Sequence, residues 1–295
     1  MSWLVVGTVP DEDFPLVEGP CRMTDSGLVV SQYTLKVARG TPALLAAACL
    51  AAQVMGIQNP RALLAGDIGV GHGSSRIYEY LSRSLEALSP RGITFHYIQP
   101  DLDWHNRILL KMEELSTRPM LVADAGYMYV AKMSGYASSY DLFTPDVGEM
   151  AFLADDKAPH PFYTRGFLTQ EEDQIPQLIQ RAHKTGGSAQ HLLVKGRCDH
   201  IAAGGRIVEI ICDPCVEAME PIGGTGDTLT GLVTGLLAAN LPLLDSCLKA
   251  ARANRLMGAL ASPTPASSVK ELLRFLPRAL EDLLRGEGWE AERQC

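Results

Sequence analysis

Pro221-Ile222-Gly223-Gly224-Thr225-Gly226-Asp227, running into the apolar segment Thr228 to Val233, is the part of this sequence best suited to chemistry. Three glycines ahead of a helix let backbone N–H groups turn toward one point, and the helix dipole adds positive potential there. Gly223, Gly224, Thr225 and Gly226 are therefore expected to hold a phosphate. Asp227 falls in the first turn, beside that anion, where a carboxylate can serve as general base on a hydroxyl reacting near phosphate. A glycine-rich loop with a capping Asp would carry the same residues with no ligand at all.

Other polar residues stand directly after short apolar runs: Gly66-Asp67, Asp124, Thr144-Pro145-Asp146 and Lys195-Gly196. Open α/β sheets bind ligands at the carboxyl ends of their strands, so Gly66, Asp67, Asp124, Thr144 and Asp146 are the expected substrate-side residues. The loop Gly66 to Ser75 approaches a Walker motif in spacing, but His72 stands where the lysine belongs and Gly73 where Ser or Thr belongs. It also lacks the third glycine of a dinucleotide fingerprint. What remains is a close-approach loop ahead of a Ser-capped helix.

The elements that must position these residues follow from periodicity. Thr41-Pro42 reads as a capped helix start, and the apolar run after it ends at Gly56. Ala62 to Ala65, Ile93 to Tyr97, Met120 to Ala123 and Asp141 to Phe143 read as strands. They alternate with helices over Ser74 to Leu88, Trp104 to Leu115, Gly126 to Met133 and Val147 to Leu153. Alternation of this kind predicts a mostly parallel sheet covered by helices. His160, Tyr163 and Arg165 in the aperiodic stretch Ala158 to Gly166 are candidates to line a pocket. A helix is expected over Thr169 to Lys184. From His191 to Ile211 the segments shorten around Gly204-Gly205, which predicts an antiparallel edge. Helices over Gly223 to Asn240, Leu243 to Leu260 and Ser267 to Leu284 complete the chain, which is expected to be one domain over residues 1–295.

Net charge of -8 and the absence of a basic stripe argue against nucleic acid and anionic membrane as partners. No run reaches the roughly 20 apolar residues of a membrane span, and no signal segment is visible, so a cytoplasmic protein is expected. Seven cysteines are an odd set without a disulfide framework, and reduced thiols are the simpler reading. Cys212-Asp213-Pro214-Cys215, with Cys198 and His200 expected on a neighbouring strand, raises a zinc site, but one CxxC without a second pair is weak support for it.

Gly223 to Asp227 with its apolar helix resembles the anion-hole signature of ribokinase-like proteins. The GGTGD spelling is most similar to ADP/ATP-dependent NAD(P)H-hydrate dehydratases. Val122-Ala123-Asp124-Ala125, Leu142 to Met150 and Leu193-Val194-Lys195-Gly196 resemble that family's strand-ending aspartate, its TPHPGE segment and its LKG strand, in the same order. The likeness runs from about Pro119 to the C-terminus. It implies a three-layer αβα, Rossmann-like fold and adenine nucleotide, ATP or ADP, on Gly223 to Gly226 with Lys195 nearby. It also implies catalysis by Asp227 and an indirect role for Glu149 with Mg2+. The implied reaction is phosphoryl transfer to a hydroxyl of a hydrated nicotinamide, then loss of phosphate. Asp146-Val147 replaces the family's His-Pro. An ATP-dependent small-molecule kinase of the sugar or vitamin type could use the same groups, and a nucleotide-binding regulator without catalysis is the third reading. A homo-oligomer is only a general prior.

Overall fold

The first strand, β1 (Trp3–Val9), is buried along its whole length. In chain order it is followed by β2 (Val17–Met23), β3 (Leu28–Val30), β4 (Tyr33–Leu35), α1 (Thr41–Val54), β5 (Arg61–Gly66), α2 (His72–Leu88), β6 (Gly92–His96), α3 (Leu102–Glu113) and β7 (Met120–Ala123). Then come α4 (Gly126–Met133), β8 (Leu142–Phe143), α5 (Val147–Ala154), α6 (Ile175–Lys184), β9 (His191–Val194), β10 (Asp199–Ala203), β11 (Arg206–Ile211), α7 (Thr225–Ala238), α8 (Leu243–Ala261), α9 (Val269–Leu273) and α10 (Leu276–Gly286). This computed structural model describes residues 2–158 and 174–286. They fall into two units, Met1–Gly19 with Arg61–Ile210 and Pro20–Pro60 with Ile211–Cys295.

In the first unit the strands lie in the order β11-β10-β9-β8-β7-β6-β1-β5. The six from β9 to β5 are parallel, and β10 runs antiparallel to β9. The expected α/β class, mostly parallel with an antiparallel edge, is what the chain forms. Parallel strands connected through helices read as continuous apolar runs because both faces are covered. One continuous core joins Val6, Leu63 and Phe95 of the strands to Ile77, Ile108, Tyr127 and Phe152 of the helices. Gly92 is required by contact: a Cβ there would meet the Trp3 ring at 2.4 Å. That ring is held by its Nε1 donating to Thr94 Oγ1 at 2.9 Å.

In the second unit, β2, β3 and β4 form an antiparallel meander. The buried α1 lies against α7 with almost nothing between them. A Cβ at Gly231 would sit 2.1 Å from Leu44 O, and one at Gly235 would sit 2.6 Å from Ala51 Cβ. Glycines one turn apart on α7 facing alanines of α1 set that close approach.

Two local expectations are corrected. Thr41 is the first helical residue and not the cap, a position taken by Gly40 with φ +69°. The helix expected over Ser267 to Leu284 is two helices, since Pro277 has no N–H to continue a ladder across Arg274 and Phe275. Of the helix expected over Thr169 to Lys184, Ile175–Lys184 forms as expected, and the start at Thr169 lies outside the described residues.

Candidate active site

In the second unit the glycine-rich turn sits at the start of α7. Gly224 is the cap residue with φ +100°. A Cβ on it would meet Arg39 Cα at 3.1 Å and Ala38 O at 3.2 Å, so glycine is demanded twice, by backbone angle and by space. Thr225 Oγ1 donates to Ile222 O at 3.2 Å and steadies the approach. Asp227, half-buried in the first turn, accepts the Gly40 N–H at 2.5 Å through Oδ2. Behind that turn, Asn254 Nδ2 donates to Thr225 O at 3.2 Å, so α8 holds the loop from below.

In the first unit the parallel strands deliver the other candidates to their carboxyl ends. Asp124, 1% exposed after β7, accepts from Ala125 N–H at 2.8 Å and from Lys195 Nζ at 2.9 Å on both oxygens. Lys195 follows β9 two strands away, so the ion pair crosses the end of β8. His96 ends β6, fully buried, with Nε2 at 3.8 Å from Asp124 Oδ2. Thr144, also fully buried, donates its N–H to Ala123 O at 3.2 Å, and Lys195 N–H reaches Pro145 O at 2.8 Å.

Asp146 caps α5 in a reciprocal box with Glu149. Asp146 Oδ1 accepts the Glu149 N–H at 2.7 Å, and Glu149 Oε2 accepts the Asp146 N–H at 2.9 Å. Glu149 Oε1 accepts from the Tyr129 hydroxyl at 3.1 Å. Burial, followed by the charge of Asp146, pushes the Glu149 carboxyl up to about 8, with Lys195 opposing. Burial and the neighbouring Glu149 charge likewise raise the Tyr129 phenol, which keeps it a donor.

Asp67 holds its own loop. Its carboxylate accepts from Gly69 N at 3.0 Å, Gly71 N at 2.9 Å, Ser74 N at 2.9 Å and Ser74 Oγ at 2.8 Å. Burial raises its pKa, but those four bonds outweigh it and the net shift is downward. Ser74 is thus not the helix cap: Gly71 occupies that position, and Asp67 satisfies the amides. A pocket of about 290 Å³ opens beside the loop, lined by Glu12, Gly66, Asp67, Ile68, Val70, His72 and Arg76.

The first unit therefore brings Asp124, Thr144, Asp146, Glu149 and Lys195 to one end of β7, β8 and β9. Gly66 and Asp67 lie at the same end of the sheet, after β5. The second unit gathers Gly223 to Asp227 at the start of α7. Sequence reasoning missed His96, Gly40 and Asn254. His160, Tyr163 and Arg165 lie outside the described residues. The reduced-thiol reading holds for Cys21, Cys49, Cys215 and Cys247 and is corrected for Cys198 and Cys212, which are disulfide-bonded; the zinc reading is corrected with it, since the CxxC then offers no thiolate pair.

The sequence pattern of a family described as NAD(P)H-hydrate dehydratase matches residues 100–278, more than half of the 295. The chain belongs to that family. A curated relative of the NAD(P)H-hydrate dehydratase-family chain is the uncharacterized protein MJ1337 of Methanocaldococcus jannaschii. It is 37% identical over 226 residues, which cover 76% of this chain and 93% of the relative. The ADP-dependent (S)-NAD(P)H-hydrate dehydratase of Cenarchaeum symbiosum is 28% identical over 211 residues, covering 70% of this chain and 68% of its own length. Among solved structures, YxkO of Bacillus subtilis, a member of the UPF0031 family, aligns with a TM-score of 0.57 at 17% identity. The alignment covers 95% of this chain and 91% of that one, and it speaks to the fold, which is of the ribokinase-like class.

Proposed function

We propose that the protein is an adenine-nucleotide-dependent dehydratase of hydrated nicotinamide dinucleotides. The observation that carries this reading is the pairing of a left-handed Gly224 with Asp227 in the first turn of α7, a carboxylate anchored on Gly40 N–H. In this reading the amides of Gly223 to Gly226 hold nucleotide phosphate, and the α7 dipole favours the charge that develops there. Asp227 takes the proton of the substrate hydroxyl as it attacks the terminal phosphoryl group. The phosphate so attached is a good leaving group, and its departure with a ring proton restores the nicotinamide double bond.

Lys195 is proposed to act on the nucleotide side, with Gly66, Asp67, Asp124, Thr144 and Asp146 on the substrate side. Asp67 does so by shaping its loop and Asp146 by fixing α5. Mg2+ fits the first unit on one observation: Asp146 and Glu149 pair at the start of α5, where burial first and the Asp146 charge second raise the Glu149 carboxyl, and a hard cation would relieve that repulsion. Asp146 and Glu149 would hold it, directly or through water, and when bound it would neutralise phosphate charge.

A second reading is favoured by one departure. Asp146-Val147 stands where the family has His-Pro, so an ATP-dependent kinase acting on another small hydroxyl compound would use the same base and amides. Incubating the protein with hydrated NADH and either ATP or ADP tests the first reading, with return of NADH absorbance as the expected result. Phosphorylation of small alcohols or vitamins with no return of NADH absorbance would replace it with the second.

A further inference from the structure

Two thiols that the proposed chemistry does not use lie against each other in the second unit. Cys21 of β2 and Cys49 of α1 bring their sulfurs to 3.3 Å, and both side chains are buried. Cys21 Sγ donates to Pro60 O at 2.8 Å, so the shared proton between the sulfurs comes from Cys49. Asn59 Nδ2 donates to Cys21 O at 3.0 Å and fixes the backbone that carries the first thiol. A disulfide needs the sulfurs about 1.3 Å nearer than this hydrogen-bonding separation. The other described free thiols are Cys247, which is buried, and Cys215, which is exposed.

We propose that Cys21 and Cys49 are an oxidative modification site, converted by hydrogen peroxide into an intramolecular disulfide that clips β2 to α1. Cys21, a residue 3% exposed against 0% for Cys49, takes an oxygen from peroxide on its sulfur to give a sulfenic acid and one water. The Cys49 sulfur then attacks the Cys21 sulfur, the S–S bond forms, the S–O bond breaks, and a second water leaves. Two thiols lose two electrons and two protons, and one peroxide becomes two waters. The Cys21 hydrogen bond and burial both hold the Cys49 thiol in its neutral form, so the second step is slow at neutral pH and quickens as pH rises. The closed loop would contain β3, β4 and the Gly40 turn whose N–H anchors Asp227.

The test treats the full chain with hydrogen peroxide, denatures it, alkylates free thiols, digests it without reductant and weighs the peptides. The expected product is a Cys21–Cys49 cross-linked peptide, lighter by two hydrogens. Closing a loop of this size should also raise Tm by roughly 5–10 °C, reversibly with a reductant. Alkylation of both residues under conditions that oxidise the exposed Cys215 would overturn the proposal, as would linkage of either to Cys215 or Cys247. In the variant carrying Cys21→Ser and Cys49→Ser, peroxide should leave Tm unchanged, and a persisting rise would equally reject the site. The mass measurement needs only the natural protein, so a poorly folding variant does not weaken it.

Discussion

Thr228 Oγ1 lies 2.7 Å from Asn254 Oδ1 as its donor, joining the first turn of α7 to α8 in an environment where Thr228 has no exposure at all. Asn254 returns the contact by donating to Thr225 O, so one amide grips two points of the turn that begins the candidate phosphate site.

Replacing that amide should therefore be felt twice. Asn254→Leu is expected to cost about 1–3 kcal/mol of stability, because buried hydrogen-bonding groups lose their partners. It should also weaken adenine-nucleotide affinity several-fold. Thermal denaturation and titration calorimetry read the two effects separately, and unchanged nucleotide affinity would mean that the turn keeps its shape without α8.

Asp227→Asn preserves an oxygen to accept the Gly40 N–H and removes only the basic carboxylate. Turnover should fall by roughly 10²–10⁴-fold, the usual contribution of a general base, with nucleotide affinity staying within about tenfold. A variant that turns over at the natural rate would remove Asp227 from the chemistry.

The two adjacent glycines should respond differently. Gly224 combines φ +100° with neighbours at 3.1–3.2 Å, so Gly224→Val should lower stability by about 2–4 kcal/mol and weaken nucleotide binding. At Gly223 the nearest atom to an added Cβ is 3.7 Å away, an ordinary contact. Gly223→Ala should hold stability within about 1 kcal/mol, and any loss of nucleotide affinity in it would report on the ligand face alone. Equal stability losses in the two variants would contradict this geometry.

Asp67 makes stability sensitive to acid. Its folded pKa lies below the ordinary carboxylate value, so its contribution is complete above that value and is lost as pH falls through the lower, folded one. Asp67→Asn should be about 2–4 kcal/mol less stable at neutral pH, because charge-assisted bonds to Gly69, Gly71 and Ser74 are weakened. The gap from the natural protein should shrink below pH 4. Chemical denaturation at several pH values measures it, and a pH-independent gap would count against the role.

The candidate residues were legible where an apolar strand ends on a polar group. Met120 to Asp124, Leu142 to Thr144 and Leu192 to Lys195 each carry that signature, and the glycines before α7 carry their own. His96 escaped because the strand reading was extended through Tyr97, a residue at φ +52° that has already left the strand. Gly40 was hidden for another reason: it meets Asp227 across 187 residues, and no local pattern encodes such a contact. The strands β1 to β4 also went unread. Trp3–Val9 is a continuous buried run rather than an alternating one, and β3 and β4, at three residues each, are too short to show a period.

The meeting of Gly231 with the backbone of α1 has a consequence for how this protein could change. A helix seated on its neighbour without intervening side chains has no play, so the carboxylate it carries cannot be re-aimed by repacking underneath. Under the proposed function, drift in the preferred acceptor would then be written in turns such as Asp146-Val147 while the helix bearing Asp227 stays as it is.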